Sequence, residues 1–273
     1  MSITDANFEI PIIVAEAILK ALTESANKPF VVLGIDKSEL IKGEYVVKLN
    51  SSERMSIEAD LREFLASLIA IELGIPTPHP AIIEVRKEFV ETRKGFDDYL
   101  RFKRSIGVNF GNKFLGENVI QFMPRYAESF KNFIKVLQEI FIFDIFIENS
   151  DRSYEKPNLL IKDDEIFVID HEIAFGFLHI LPMFRNAQPW HLDNTLFEII
   201  RIHCLFANLK GRHFLAQDFF ENFHKLNSKF WDTAYKLLPL AWRIDDFEKI
   251  RDYLQLKVDH INEFKNEIME ILK

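Results

Sequence analysis

Cysteine is nearly absent from this sequence: Cys204 is the single one among 273 residues, so an intrachain disulfide cannot form. That fits a chain expected in the reducing cytoplasm, and it excludes a zinc ribbon. Glycine is scarce as well, at 9 residues, which excludes a collagen-like repeat and leaves few flexible loops. No run approaches about 18 uninterrupted apolar residues, so no membrane span is expected. The opening MSITDANFEI has no basic stretch followed by an apolar one, so it does not read as a secretory leader. Positive charge is also in deficit. Lys and Arg number 34 against 42 Asp and Glu, a net charge of −8 that argues against a direct nucleic-acid partner.

What the chain does have is phenylalanine, 27 of them, within a composition that is 48% hydrophobic and 28% charged. Such a chain folds rather than staying disordered, and its length suits one large domain or two lobes around a helical, aromatic-filled core.

Residues 10–25 (IPIIVAEAILKALTES) read as an amphipathic helix. PFVVLGID and EYVVKLN then form a strand pair across 30–50. From Ser56 the stripe Ile57, Leu61, Phe64, Leu68, Ile71 predicts a helix, stopped by Gly74 and Pro76. AIIEV (81–85) reads as another strand, 87–125 as a mixed connection, and 127–147 as a buried helix beyond Pro124. NLLIK and EIFVID form a second hairpin with Asp163–Asp164 at its tip. Residues 178–191, with Pro182 and Pro189, read as an extended loop, and the stripe Phe247 to Ile271 as one long last helix. Strands first and helices last mean an α+β fold in two lobes, 1–124 and 125–273.

Polar chemistry concentrates in residues 143–175, FDIFIENSDRSYEKPNLLIKDDEIFVIDHEIAF. Asp151 follows a buried helix, Asn158 opens one hairpin strand and Asp170 closes the other. Antiparallel pairing brings the outer ends together, so Asn158 and Asp170 should be neighbours. An amide oxygen and a carboxylate there form a hard-oxygen site of the kind magnesium takes when phosphates supply its other ligands. Asp151, just upstream, is placed to accept a proton from an incoming hydroxyl. Taken one at a time, the same residues read as a turn cap and strand ends. It is their ordered set, with apolar strands between, that points to chemistry.

This segment resembles the catalytic core of atypical kinases of the HipA-like type. It is similar also to the phosphatidylinositol-kinase branch, in which an Asp-Arg pair opens the catalytic loop. Here that pair is Asp151-Arg152, with Asn158 as the loop asparagine and Asp170 of Ile-Asp-His as the metal-binding aspartate. The resemblance implies a bilobal kinase-like fold, with Asp151 as catalytic base or orienting acid and Asn158 and Asp170 as magnesium ligands. In the first half, Lys48 of VVKLN resembles the strand lysine that holds nucleotide phosphates. Glu63 resembles the helix glutamate that pairs with it, with Glu58 and Asp60 as rivals. The match covers residues 30–175. Departures from ordinary protein kinases are plain: no G-x-G-x-x-G, no H-R-D, no D-F-G, and six residues (152–157) between Asp151 and Asn158 where most kinases have four.

The expectation is therefore an ATP- and magnesium-dependent phosphotransferase acting on an unidentified hydroxyl of a protein or small molecule. A non-catalytic nucleotide-binding scaffold and a small-molecule kinase of the aminoglycoside type are the rival readings. Other residues are assigned plainer roles. Arg152 braces its loop by pairing with a carboxylate, and Asp144 bonds loop backbone. Phe175 in place of a second histidine denies His171-Glu172 the H-E-x-x-H zinc pattern, leaving a polar pair near the metal with Glu172 as an auxiliary ligand at most. Cys204 is an inert buried thiol, and the C-terminal stripe is core first and partner-protein surface second.

Overall fold

The fold was analysed from a computed structural model that describes residues 2–22, 27–52, 55–125 and 133–273. Five strands close into a barrel in the order β1-β2-β3-β5-β4: β1 Ile12–Ala21, β2 Phe30–Asp36, β3 Lys42–Val47, β4 Pro80–Val85 and β5 Gly107–Lys113. Between β3 and β4 runs α1 (Ile57–Leu73), and between β4 and β5 lie the short helices α2 (Lys87–Glu91) and α3 (Tyr99–Arg104). A three-stranded sheet follows, β6 (Ile120–Gln121), β7 (Leu159–Lys162) and β8 (Glu165–Val168), with α4 (Ile134–Phe146) preceding its hairpin. The remainder is helical: α5 (Asn194–Ile202), α6 (Phe206–Leu209), α7 (Ser228–Leu237), α8 (Asp246–Asp259) and α9 (Ile261–Leu272), with 3-10 turns between. This is an α+β fold of the kind expected.

The helix expected over 10–25 is instead β1; residues 23–25 lie outside those described. Ile12, Ile13 and Val14 pair in parallel with β4, while the rest of the strand runs antiparallel to β2. Register shifts between Ala15 and Ala17 and between Ile18 and Lys20 destroy the alternation that marks a strand. What remains to the eye is a string of good helix formers, Ala, Glu, Leu and Lys.

α1 begins where the sequence indicates. Ser56 caps it by accepting a hydrogen bond from Ala59 N at 3.2 Å, and Gly74, at φ 84°, ends it. The helix is covered on every side: Leu61, Phe64 and Leu68 are buried, but so are Asp60, Arg62 and Glu63. Phe64 packs edge-on against Trp242 of the helical half. One apolar cluster (Ile13, Phe30, Val32, Val47, Ile83 and Phe102 among its members) fills the barrel, and a larger one joins α1 and α4 to the C-terminal helices.

α4 is the buried helix expected over 127–147, described from Phe133 on; residues 127–132 lie outside those described. The last stripe belongs to two helices rather than one. The chain turns at His260, whose ring stacks on Trp190 at 3.7 Å, yet Val258 and Ile261 keep the apolar spacing across the break. The loop at 178–191 contains 3-10 turns at Gly176–His179 and Pro182–Phe184.

Candidate active site

The β7–β8 hairpin positions the central residues. Asp163 and Asp164 form its two-residue tip with φ of 46° and 63°, the left-handed pair that a tight hairpin turn requires. Leu159 pairs with Val168, and Ile169 N donates to Asn158 O at 3.1 Å, so the ladder runs one step beyond both strands. Asn158 and Asp170 therefore leave the hairpin at the same end. Both have left-handed backbone, at φ 49° and 67°. Such conformations cost about 1–3 kcal/mol each and persist where the surroundings impose them.

A buried salt-bridged scaffold imposes the loop. Arg152 donates to both oxygens of Asp144 on α4, to Pro157 O at 3.1 Å and to Asn158 O at 2.6 Å. It also faces His171 Nε2 at 3.2 Å. Asp144 further accepts from Asn149 Nδ2 and from His203 Nε2. Arg152 thus braces the loop as expected, while Asp144 serves side chains as well as backbone. Burial alone would raise the Asp144 pKa, but Arg152 and His203 hold it well below the usual range. Burial and Arg152 push His171 down to about 3, so it is neutral. Cys204 is buried nearby and its thiol is pushed up to about 12, chiefly by burial, which makes it unreactive.

Within this frame Lys156 Nζ lies 2.9 Å from Asp151 Oδ2, and Asn158 Nδ2 donates to the Asp151 backbone carbonyl at 3.1 Å and reaches Oδ2 at 3.5 Å. That bond turns the amide oxygen of Asn158 away from Asp151. From the other side the loop is held by Glu148, which accepts from Lys257 Nζ at 2.9 Å, Tyr253 OH at 2.8 Å and Phe177 N at 3.0 Å. The C-terminal helix α8 is in this way tied to the segments on either side of the site.

Lys48 stands one residue past β3, its N–H bonded to Phe110 O on β5 at 3.0 Å. Its ammonium bridges Glu63 of α1 and Asp170, and lies 3.7 Å from Glu172 Oε2. Of the rivals to Glu63, Asp60 accepts instead from Phe110 N, and Glu58 sits in the first turn beside the Ser56 cap. Burial works against the Lys48 charge, but Asp170, Glu63 and Glu172 together raise its pKa well above the usual value. Burial lifts Glu63 despite Lys48. Asp170, which burial would raise, is held low by Lys48. Glu172 is pushed up to about 8, by burial first and then by Asp170 and Glu63 against the pull of Lys48.

Five side chains singled out in the sequence, Lys48, Glu63, Asp151, Asn158 and Asp170, thus fall into two adjoining groups. Lys48, Glu63 and Asp170 are in direct contact; Asp151 and Asn158 are bonded to each other; and the hairpin ladder links Asn158 to Asp170. Oxygens of Glu63, Asp170 and Glu172 lie within 4.8 Å of one another. Three carboxylates meet one ammonium, and Glu172 Oε2 is buried without a hydrogen-bond partner. An all-oxygen donor set with an orphaned buried carboxylate oxygen fits a magnesium ion.

Lys156 escaped the sequence reading, as did Asn27, which bonds Glu172, and Arg62, whose Nε donates to Glu172 O at 2.6 Å. Lys156 had a visible signal, a cation two residues before Asn158 in the same loop. Asn27 and Arg62 had none, because long-range packing alone brings them to Glu172.

The chain belongs to the HipA-like kinase family, whose model matches residues 15–269. Among solved structures, the proinflammatory kinase CtkA of Helicobacter pylori is similar, with 11% identity, 96% of each chain covered and a TM-score of 0.46. A search of curated proteins finds no match. Among the described residues no helix is long and apolar enough to cross a membrane.

Proposed function

We propose that the chain transfers the terminal phosphoryl group of ATP to a hydroxyl acceptor, using magnesium, with residues 1–124 covering the nucleotide and 125–273 carrying the catalytic loop. The observation that carries this reading is the convergence of Lys48, Glu63 and Asp170 beside the Asp151–Asn158 loop.

Lys48 holds the phosphates, and Glu63 keeps its ammonium in place and charged. Asn158 through its amide oxygen and Asp170 through its carboxylate hold magnesium. The metal supplies neutralisation of phosphate charge. Asp151 orients the acceptor hydroxyl and takes its proton as the new P–O bond forms. Lys156 sets a positive charge beside Asp151, where the transferred group carries its negative charge. Arg152, buried on Asp144, keeps Asp151 and Asn158 in register. Catalysis of this kind consists mostly of positioning and charge neutralisation, so a fixed scaffold serves it better than a reactive nucleophile.

Titration calorimetry with ATP tests the reading. Binding that needs a divalent cation supports it, and equal affinity with magnesium and with excess chelator contradicts it.

A further inference from the structure

β4 and β5 lie side by side and antiparallel, from Pro80 against Asn112 to Val85 against Gly107. A turn of about two residues is enough to join such neighbours. Here residues 86–106 join them, and they carry α2 and α3. Phe102 of α3 is fully buried against Phe30 of β2 and Phe89 of α2, with ring centroids at 4.9 and 5.3 Å, so the helix is fixed to the barrel core.

The adjacent Arg101 turns to the residues that lead into β2. Its Nη2 donates to Asn27 O at 2.9 Å, Lys28 O at 3.0 Å and Ser52 Oγ at 3.1 Å. Lys28 has left-handed backbone, at φ 42°, and the carbonyls on both sides of its Cα reach this one guanidinium. Such a conformation in a residue other than glycine persists where the surroundings impose it, and it gathers at ligand clamps. Arg101 is also tied to the segment just after Lys48. Its carbonyl accepts from Ser51 Oγ at 2.8 Å, and Ser105 Oγ donates to the same hydroxyl at 2.9 Å.

Asn27 carries the tie into the site. It is 2% exposed, and its Nδ2 donates to Glu172 Oε1 at 3.2 Å, while Lys48 Nζ stands 3.7 Å from the other oxygen of that carboxylate. One carboxylate therefore separates the Asn27 amide from the Lys48 ammonium.

We propose that Arg101 is a positioning residue for the nucleotide. α3, inserted between β4 and β5, holds Asn27 and Lys28 against the Lys48–Asp170 group and acts on magnesium-ATP through them. The inference rests on the kinase reading of the site and extends it to the insertion. The side-chain bonds of Arg101 go to residues 27, 28 and 52, so the effect falls on nucleotide affinity rather than on the transfer step.

Titration calorimetry with magnesium and a non-hydrolysable ATP analogue, beside a melting curve of the ligand-free protein, tests it. Arg101→Met keeps an unbranched stem beside Phe30 but removes the guanidinium and its bonds. It should bind the analogue about tenfold more weakly, as expected on losing a charge-assisted hydrogen bond. Its melting temperature, and its ATP hydrolysis at saturating ATP, should stay near the parent's. Arg101→Lys, which keeps the charge, should recover part of the affinity. Arg104→Met, at an exposed position of the same helix, should bind as the parent does. Parent-like affinity in Arg101→Met overturns the proposal, and so does an equal loss in Arg104→Met. Should Arg101→Met fail to fold, Asn27→Ala decides, because it removes only the amide: weaker binding supports the proposal and parent-like binding overturns it. A parent that binds no nucleotide overturns the kinase reading as well.

Discussion

Lys156 Nζ lies 2.9 Å from Asp151 Oδ2, so the loop that carries the acid also carries the cation set against it. The Lys156 side chain is about a third exposed, and its pairing with Asp151 adds little stability, within about 1 kcal/mol. Its place argues for a role in charge neutralisation instead.

Lys156→Met should therefore unfold in urea within about 1 kcal/mol of the parent. Turnover should fall by about 10²–10³-fold, the usual effect of removing one preorganised donor from a developing charge. ATP hydrolysis or autophosphorylation gives the rate. Unchanged turnover in a folded variant would remove Lys156 from the mechanism.

Lys48→Met tests the carboxylate cluster. Without the ammonium, Glu63 and Glu172 remain buried with Asp170, and they will hold protons in the folded state rather than carry charge. Their folded pKa values then lie above the unfolded ones, so the stabilisation present at low pH is lost as pH rises. The variant should fold at pH 6, be measurably less stable at pH 8, and bind ATP poorly at both. Differential scanning fluorimetry across pH, with and without magnesium-ATP, reports all three; a variant that binds ATP like the parent would make Lys48 structural.

Arg152→Leu should behave quite differently. It leaves the Asp144 carboxylate buried and releases Pro157 O and Asn158 O together. Breaking one side of a buried pair costs about 3–5 kcal/mol, and a urea midpoint shifted by an equivalent amount is expected. A loss under about 1 kcal/mol would mean that water or a neighbour replaces the guanidinium.

Much of this site was legible in the chain because its parts are local. The β7–β8 hairpin has apolar strands and a two-residue acidic turn, and antiparallel pairing alone puts Asn158 beside Asp170. Glu63 sits on a helix with a cap, a stripe and a glycine stop. β1 was not legible, since its bulges erase alternation and its alanines favour helix. The break at His260 was hidden for the opposite reason, an apolar spacing that continues across it. Glu172 shows a third limit. Its sequence position suggests a polar pair, but only the packing of Asn27, Arg62 and Lys48 around it leaves one oxygen without a partner.

The central claim is that Asp170 and Asp151 divide the work, one holding the metal and nucleotide and the other acting on the acceptor. Asp170→Asn and Asp151→Asn, compared by calorimetry with magnesium-ATP and by basal ATP hydrolysis, test it most directly. Asp170→Asn should weaken magnesium-ATP binding itself. Asp151→Asn should bind nearly as the parent does, yet turn over about 10²–10⁴-fold more slowly, as expected on losing a general base. Equal loss of binding in both variants would contradict the division of labour, and parent-like binding and turnover in both would contradict the kinase site itself.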